Sequence, residues 1–163
     1  MAQVDIFLKL EGGIKGESLD SKHKEEIEVD SFSFGCSQSG SFAVGSGGGA
    51  GKVSYQDAHC VSRVSQAGPK LMLACATGEH ISKATVTFRK AGKEQQEYLV
   101  ITLTDCLVSS YQLGGTSGDG VLPTESYSLN FAKCEVQYKP QQASGSLGGV
   151  VKAGYDLKQN KAV

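Results

Sequence analysis

The chain has 163 residues, which suits one domain, and a domain of that size buries about 68–70% of its unfolded surface. Sixteen Lys and Arg residues against 17 Asp and Glu residues leave a formal charge of -1. This balance argues against a nucleic-acid partner, because nucleic-acid-binding proteins carry a concentrated basic surface, but it permits self-association.

The first segment, "MAQVDIFLKLEGG", predicts a strand, because Val4, Ile6, Leu8 and Leu10 recur at every second position. Asp5 stands where a secretory signal would be basic, and no continuous apolar region follows it. We therefore expect no cleavable signal peptide and synthesis as a soluble cytosolic protein. The later apolar run "LMLACA" is far shorter than the roughly 20 residues of a spanning helix, so no membrane insertion is expected.

The segment "EEIEVDSFSFGC" also predicts a strand, but its apolar positions change phase, from Ile27 and Val29 to Phe32, Phe34 and Cys36. A bulge, or a strand that turns a corner from one sheet to another, produces such a change. Glu26, Glu28 and Asp30 could serve hydrolysis or calcium binding, but the ordinary interpretation is the solvated side of a half-buried sheet. His23, in the charged run before them, is interpreted as a solvated loop residue.

The run "GSGGGAGKV", residues 45–53, has the look of a phosphate-binding loop. A Walker A motif needs Gly where Ser46 stands and Ser or Thr where Val53 stands. A GxGxxA pattern is present, but both motifs must open a helix, whereas "KVSYQDAHCV" alternates like a strand. The remaining interpretation is a long loop between two strands, about residues 37–51, and such loops are usually functional or disordered.

On that strand, Asp57 and His59 are two residues apart and could form an acid-base pair. A nucleophile is missing from their face, because Cys60 points the other way and Tyr55 is a poor candidate. A structural or surface role is therefore the better interpretation.

The segment "GPKLMLACATG" predicts one short helix, with Pro69 at its first position and Gly78 just past its end. Strands are predicted at "SKATVTFRK" and "QQEYLVITLTDCLVSSYQL", joined by a hairpin turn at residues 91–93. "YSLNFAKCEVQY" shows a second phase change, and "AGYDLK" predicts a shorter last strand. Two further loops, residues 114–120 and 144–149, are rich in glycine and serine.

The five cysteines contain no CxxC pair and cannot all pair within one chain, so buried free thiols are expected. They are Cys36, Cys60, Cys75, Cys106 and Cys134. No two Cys or His residues have a chelating spacing except His59 and Cys60, which a strand points to opposite faces. No metal, cofactor or catalytic constellation is therefore expected, and a binding or oligomeric protein becomes the better class.

Six segments, taken in order over nearly the whole chain, resemble the Hcp family, the hemolysin-coregulated tube proteins of bacterial type VI secretion systems. They are "EEIEVDSFSFGCSQSGS", "GGGAGKVSYQD", "PKLMLACATGEH", "TVTFRKAGKEQQEYLVITLTD", "SLNFAKCEVQYKPQ" and "GYDLKQN". Each is moderately specific, and their order is highly specific.

The resemblance implies a mostly β fold, a small β-barrel built from two packed antiparallel sheets with one short flanking helix and a long glycine-rich loop. It implies a single domain over residues 1–163, without the toxin domain that is fused after the barrel in some members. Six copies would close into a ring, and rings would stack into a tube that a contractile sheath propels from the cell. Further implied partners are the valine-glycine-repeat spike protein and small effectors in the lumen, and secretion would need no cleavable signal.

The resemblance also suggests site residues. The segment around residues 39–52 looks like the family's extended loop, which packs on the next ring. Its candidate stacking residues are Ser39, Gly40, Ser41, Phe42, Gly45, Gly47, Gly48, Gly49 and Gly51. Ser33, between two aromatic residues, looks like the lumen-facing position that retains effectors, although phenylalanines replace the family's frequent tryptophans. The alternative function is a monomeric small-ligand-binding β-barrel, whose polar groups would converge on an apolar cavity.

Overall fold

The computed structural model describes residues 3–40, 52–92, 94–118 and 120–163, and these residues form nine strands and one helix. All strand pairs are antiparallel. The prediction of a mostly β chain with one short helix is confirmed. In chain order the elements are β1 (Val4–Leu10), β2 (Ile27–Val29), β3 (Ser31–Ser37), β4 (Ser54–Arg63), α1 (Ala67–Thr77), β5 (Ile81–Lys90), β6 (Gln96–Gly114), β7 (Thr124–Tyr138), β8 (Val151–Asp156) and β9 (Lys161–Ala162).

The strands form one hydrogen-bonded sheet in the order β2, β1, β5, β6, β7, β4, β3, while β8 pairs with β7 and β9 pairs with β8. The predicted closed barrel of two packed sheets is wrong in this respect, because the described strands form a single sheet that is not closed. The two end strands, β2 and β3, are consecutive segments separated only by Asp30. Consecutive segments of one extended chain cannot pair side by side, so the ends of the sheet meet through the covalent chain instead.

The chain changes its partner strand at both places where the apolar phase changes. Before Asp30 the chain pairs with β1, and after Asp30 it pairs with β4. One edge of β7 pairs with β4 up to Leu129 and with β8 from Lys133 onward. The other edge of β7 pairs with β6 along its whole length. The prediction of strands that turn a corner therefore accounts for both phase changes.

Helix α1 ends as predicted and begins earlier than predicted. Gly78 follows it in the left-handed conformation, with φ 67°, and donates its N–H to the carbonyl of Ala74. The helix begins at Ala67, so Pro69 is its third residue and not its first. Proline is tolerated there because the N–H groups of the first turn have no partner within the helix.

A buried arginine forms an ion pair with the segment that connects β1 to β2. Arg89 on β5 is 2% exposed, lies over the ring of Phe7, and donates from both terminal nitrogens to the carboxylate of Asp20 at 2.9 and 2.6 Å. Asp5 lies 3.5 Å from the same guanidinium. The bidentate bond to Arg89 holds the pKa of Asp20 well below its usual range.

His23 lies in the same segment and is buried, so the prediction of a solvated loop residue is wrong. Its ring stacks on Phe7 with centroids 4.4 Å apart. Nδ1 lies 2.9 Å from a carboxylate oxygen of Glu26, and Nε2 lies 2.7 Å from one of Glu97. These carboxylates replace the water that a surface histidine would bind. Glu28, in contrast, faces solvent as expected.

The cysteine prediction holds for most of the chain and fails at one position. Cys60, Cys106 and Cys134 are buried and Cys75 is half-buried, whereas Cys36 is exposed, near the end of strand β3. All five are free thiols. Burial raises the pKa of Cys60 to about 12, so this thiol is held in its unreactive neutral form.

Two leucines of α1 allow a matched test of how the helix is anchored. Leu71 is 0% exposed and belongs to the core, whereas Leu73 is 59% exposed on the outer side. We predict that Leu71→Ala lowers the free energy of unfolding by about 2–5 kcal/mol, because it leaves a cavity beneath the helix. Leu73→Ala should change it by less than about 0.5 kcal/mol. Equilibrium urea unfolding measures both, and equal losses would contradict this packing.

The Arg89 and Asp20 pair predicts a specific pH dependence of stability. Because the pKa of Asp20 is lowered by folding, its ionised form stabilises the fold above the unfolded value near 3.9, and this contribution fades as the pH falls below it. We predict that Asp20→Asn costs about 3 kcal/mol at pH 7, because Arg89 loses its main buried partner. The difference from the unchanged chain should narrow between about pH 4 and pH 2.

A surface carboxylate supplies the control for this prediction. Asp30 lies 4.0 Å from Arg63, with both side chains at least half exposed. Asp30→Asn should therefore change stability by less than about 1 kcal/mol at any pH. A difference between Asp20→Asn and the unchanged chain that stays constant from pH 7 to pH 2 would contradict the role assigned to the Asp20 carboxylate.

Candidate functional site

Ser33 lies on the outward face of strand β3. Its neighbours Phe32 and Phe34 point the other way and pack against the core, where Phe32 meets Phe88 with centroids 6.0 Å apart and Phe34 meets Phe131 at the same distance. Alternation along the strand then leaves the Ser33 side chain exposed. The two phenylalanines therefore fix the direction in which this serine points.

Ser33 begins a row of polar residues that runs across four strands. It stands opposite His59 on β4, which stands opposite Ser128 on β7, which in turn stands opposite Ser110 on β6. The hydroxyls of Ser110 and Ser128 are hydrogen-bonded to each other. We call this row and the residues bonded to it the polar face; its members are Ser33, Asp57, His59, Ser109, Ser110, Ser128 and Asn130.

Two bulges place the remaining members of the polar face. The register shifts between β3 and β4 next to Asp57, and between β6 and β7 next to Ser109. Asp57 accepts a hydrogen bond from the Ser109 hydroxyl at 2.7 Å and another from the Asn130 amide at 2.8 Å. Both bulges are invisible in the sequence, because an extra residue shows only against the partner strand.

The polar face contains no acid-base pair between Asp57 and His59 among the described residues. The carboxylate of Asp57 is bonded to Ser109 and Asn130, and no hydrogen bond joins it to His59 in the described part of the chain. His59 is exposed, and Cys60 is buried on the opposite side of the strand, as predicted. Serine, amide and imidazole groups on an open sheet can hydrogen-bond to another protein, but they enclose no substrate.

A buried carboxyl elsewhere in the fold has a structural role. Glu125 on β7 is fully buried, and it accepts a hydrogen bond from the Tyr111 hydroxyl at 2.7 Å. Burial raises the pKa of Glu125, and it raises the pKa of Tyr111 to about 12. A Cβ at Gly68 would lie 2.6 Å from the Glu125 carboxylate, so glycine allows α1 to pack directly over this pair.

The predicted stacking residues are only partly described. Ser39 and Gly40 follow the end of β3 and are exposed. The other candidates lie outside the described residues: Ser41, Phe42, Gly45, Gly47, Gly48, Gly49 and Gly51. Their role stays a prediction.

Two further classes of site are absent from the described ranges. Within these ranges no helix has the length and apolarity that crossing a bilayer requires. In the same ranges no three His, Cys, Asp or Glu side chains come together in a way that could hold a metal ion.

Comparisons with known proteins agree on one family. The model of the family described as "Type VI secretion system effector, Hcp" matches residues 7–138. Protein hcp1 of Pseudomonas aeruginosa is 50% identical over 159 residues, which cover 96% of this chain and 97% of that protein. The crystal structure of Hcp1 from Salmonella typhimurium matches with a TM-score of 0.80 and 36% identity over 100% of both chains.

A second solved structure, described as a type six secretion system protein, matches with a TM-score of 0.93 and 27% identity. The match covers 99% of this chain and 100% of that one. The alternative of a monomeric ligand-binding barrel finds no support in these comparisons. The chain therefore belongs to the Hcp family, and it is a structural tube component of a type VI secretion system and not an enzyme.

Proposed function

We propose that six copies of this chain close into a ring, and that rings stack into the tube with the polar face lining the lumen. The observation that carries the proposal is the row that starts at Ser33, where hydrogen-bonding groups continue across four strands on the face opposite to the one that packs on the core. A ring presents each of these groups six times, so contacts that are individually weak act together on one cargo protein.

The proposal extends to the partners of the tube. The contractile sheath surrounds it, the valine-glycine-repeat spike protein caps it, and small effector proteins travel in its lumen. The protein resides in the bacterial cytoplasm before firing and leaves through the apparatus without a cleavable signal. Family membership supports self-association within this apparatus, and the named partners follow from the proposed tube.

Ser33 is the proposed effector contact, and replacing it tests the luminal role of the polar face. We predict that Ser33→Gln keeps the native mass of the ring but lowers the amount of co-purifying effector several-fold, because a longer side chain displaces cargo at six places at once. Ser82→Gln, at an exposed position on β5, is the control and should retain effector. Equal effector recovery from both variants would contradict the assignment.

The glycine-rich loop is the proposed contact between stacked rings. Glycines allow two backbones to approach closely, and ordering them has a large entropy cost, so stacking should be modest in strength and reversible. We predict that replacing Gly48 and Gly49 with Val leaves single rings intact but shortens the tubes seen in electron micrographs.

Two other glycines provide the control for stacking. A Cβ on Gly114 would meet no atom within 4 Å, and one on Gly115 would make only an ordinary contact with Pro123 at 3.5 Å. The double change to Val at these positions should leave tube length unaltered. If tubes of the Gly48 and Gly49 variant are as long as those of the control, the loop does not mediate stacking.

A further inference from the structure

The fold carries a groove of about 720 Å³ between β1, β2 and the segment that leads into β2. Its lining contains five acidic residues and two basic ones, a net charge of -3. These are Asp5, Glu17, Asp20, Glu28 and Asp30, with Arg63 and Arg89. We call it the acidic groove.

Glu17 and Glu28 contribute most of the negative charge that the two arginines do not neutralise. Arg89 is bonded to Asp20 and lies near Asp5, and Arg63 lies 4.0 Å from Asp30. No ion pair to Glu17 or Glu28 is found in the part of the chain that the structure describes.

Large apolar side chains line the acidic groove beside these charges. Val4 is 44% exposed, Leu19 is 92% exposed and Leu122 is 55% exposed. An exposed leucine such as Leu19 contributes little to the fold of one copy. Apolar groups surrounded by charges of one sign are typical of a surface that binds a complementary protein.

The second half of β7 and strands β8 and β9 carry the opposite charge, although Lys152 is paired with Glu135 and Lys158 with Asp105 of β6. Residues 133–163 contain five lysines and two acidic residues, a net charge of +3. We call this region the basic edge. Its apolar side chains are 44–64% exposed; they are Tyr138, Val150, Val151 and Val163.

The basic edge also offers free backbone groups. Strand β9 pairs with β8 only at Tyr155 and Asp156, so the outer side of residues 151–153 has no partner strand among the described residues. An open strand edge favours pairing with another chain.

The position of the two surfaces decides what kind of assembly they can form. From β1 through β5, β6 and β7 to β8 there are four strand steps, roughly 19 Å at about 4.8 Å each. Strands β1 and β8 are therefore not neighbours in the sheet, and each surface carries charges that repel a second copy of itself. A contact between unlike surfaces is head-to-tail. Repeating such a contact closes a ring when the rotation between neighbouring copies is a whole fraction of 360°.

We infer that the acidic groove of one copy receives the basic edge of the next, and that this contact closes the ring; the inference rests on the ring proposed above. The contact would cover seven of the twelve large apolar side chains that the described residues leave exposed. It also joins a charge of -3 to a charge of +3.

Two charge-reversed chains test the pairing. The first carries Glu17→Lys and Glu28→Lys, which makes the groove +1; the second carries Lys152→Glu and Lys161→Glu, which makes the edge -1. In low-salt buffer, each alone should raise the concentration at which half the protein is in rings by at least about tenfold, because like charges then face each other. Light scattering over a dilution series measures this, and circular dichroism checks that both chains are folded.

An equimolar mixture of the two chains supplies the decisive result. Each reversed groove then meets a reversed edge, and each unchanged groove meets an unchanged edge, so alternating six-membered rings should form again. Dissociation of both chains without rescue in the mixture would overturn the pairing. Leu73→Asp, on the outer side of α1, should leave the rings intact.

Ring formation by the unchanged chain shows whether a negative result contradicts this inference or the proposed function. If the unchanged chain does not form rings, the proposed ring is wrong. If it forms rings and both reversed chains form them equally well, the ring stands, the assigned contact is wrong, and the groove faces another partner.

Discussion

The rest of the structure depends on one constraint: a long continuous sheet must bury one whole face of itself. A sheet of this length can do so only if some strands bend and serve two parts of the sheet. The chain meets this requirement at Asp30 and between Leu129 and Lys133, where it changes partner. The apolar side chains cross to the other phase at the same points, so the core stays continuous.

The same bends determine what the outer surface presents. Because β3 pairs with β4 after the first bend, the phenylalanines beside Ser33 turn inward and the serine turns outward. Because β7 takes β8 as its partner after the second bend, the C-terminal strands extend the sheet beyond β7. The proposed surface for cargo and the two proposed surfaces for neighbouring copies thus follow from how the sheet bends around its core.

Local patterns in the sequence predicted the local structure well. Alternation located the strands, Gly78 marked the end of the helix, and the phase changes marked the corners. Features that depend on residues far apart in the chain could not be predicted. The burial of His23 requires Glu97, 74 residues away, and the bonds of Asp57 require Ser109 and Asn130. The prediction of a closed barrel was wrong because the periodicity of apolar residues indicates which face of a strand is buried, but not which strands pair.

The same distinction applies to the candidate site: features within one strand could be predicted from the sequence, and features that join several strands could not. The place of Ser33 on an outward face follows from alternation, while its proposed role came from the family resemblance. The polar face around it could be found only from strand register. The acidic groove and the basic edge had no sequence signal either, because each combines charges from separate strands and loops.

In the proposed function, this fold by itself presents surfaces that join identical copies into a closed ring. The most direct test is the native mass of the purified, unchanged protein by light scattering, with electron micrographs of the same fraction. The expected result is six times the mass of one chain, with annular particles. A monomer that persists at high concentration would contradict it.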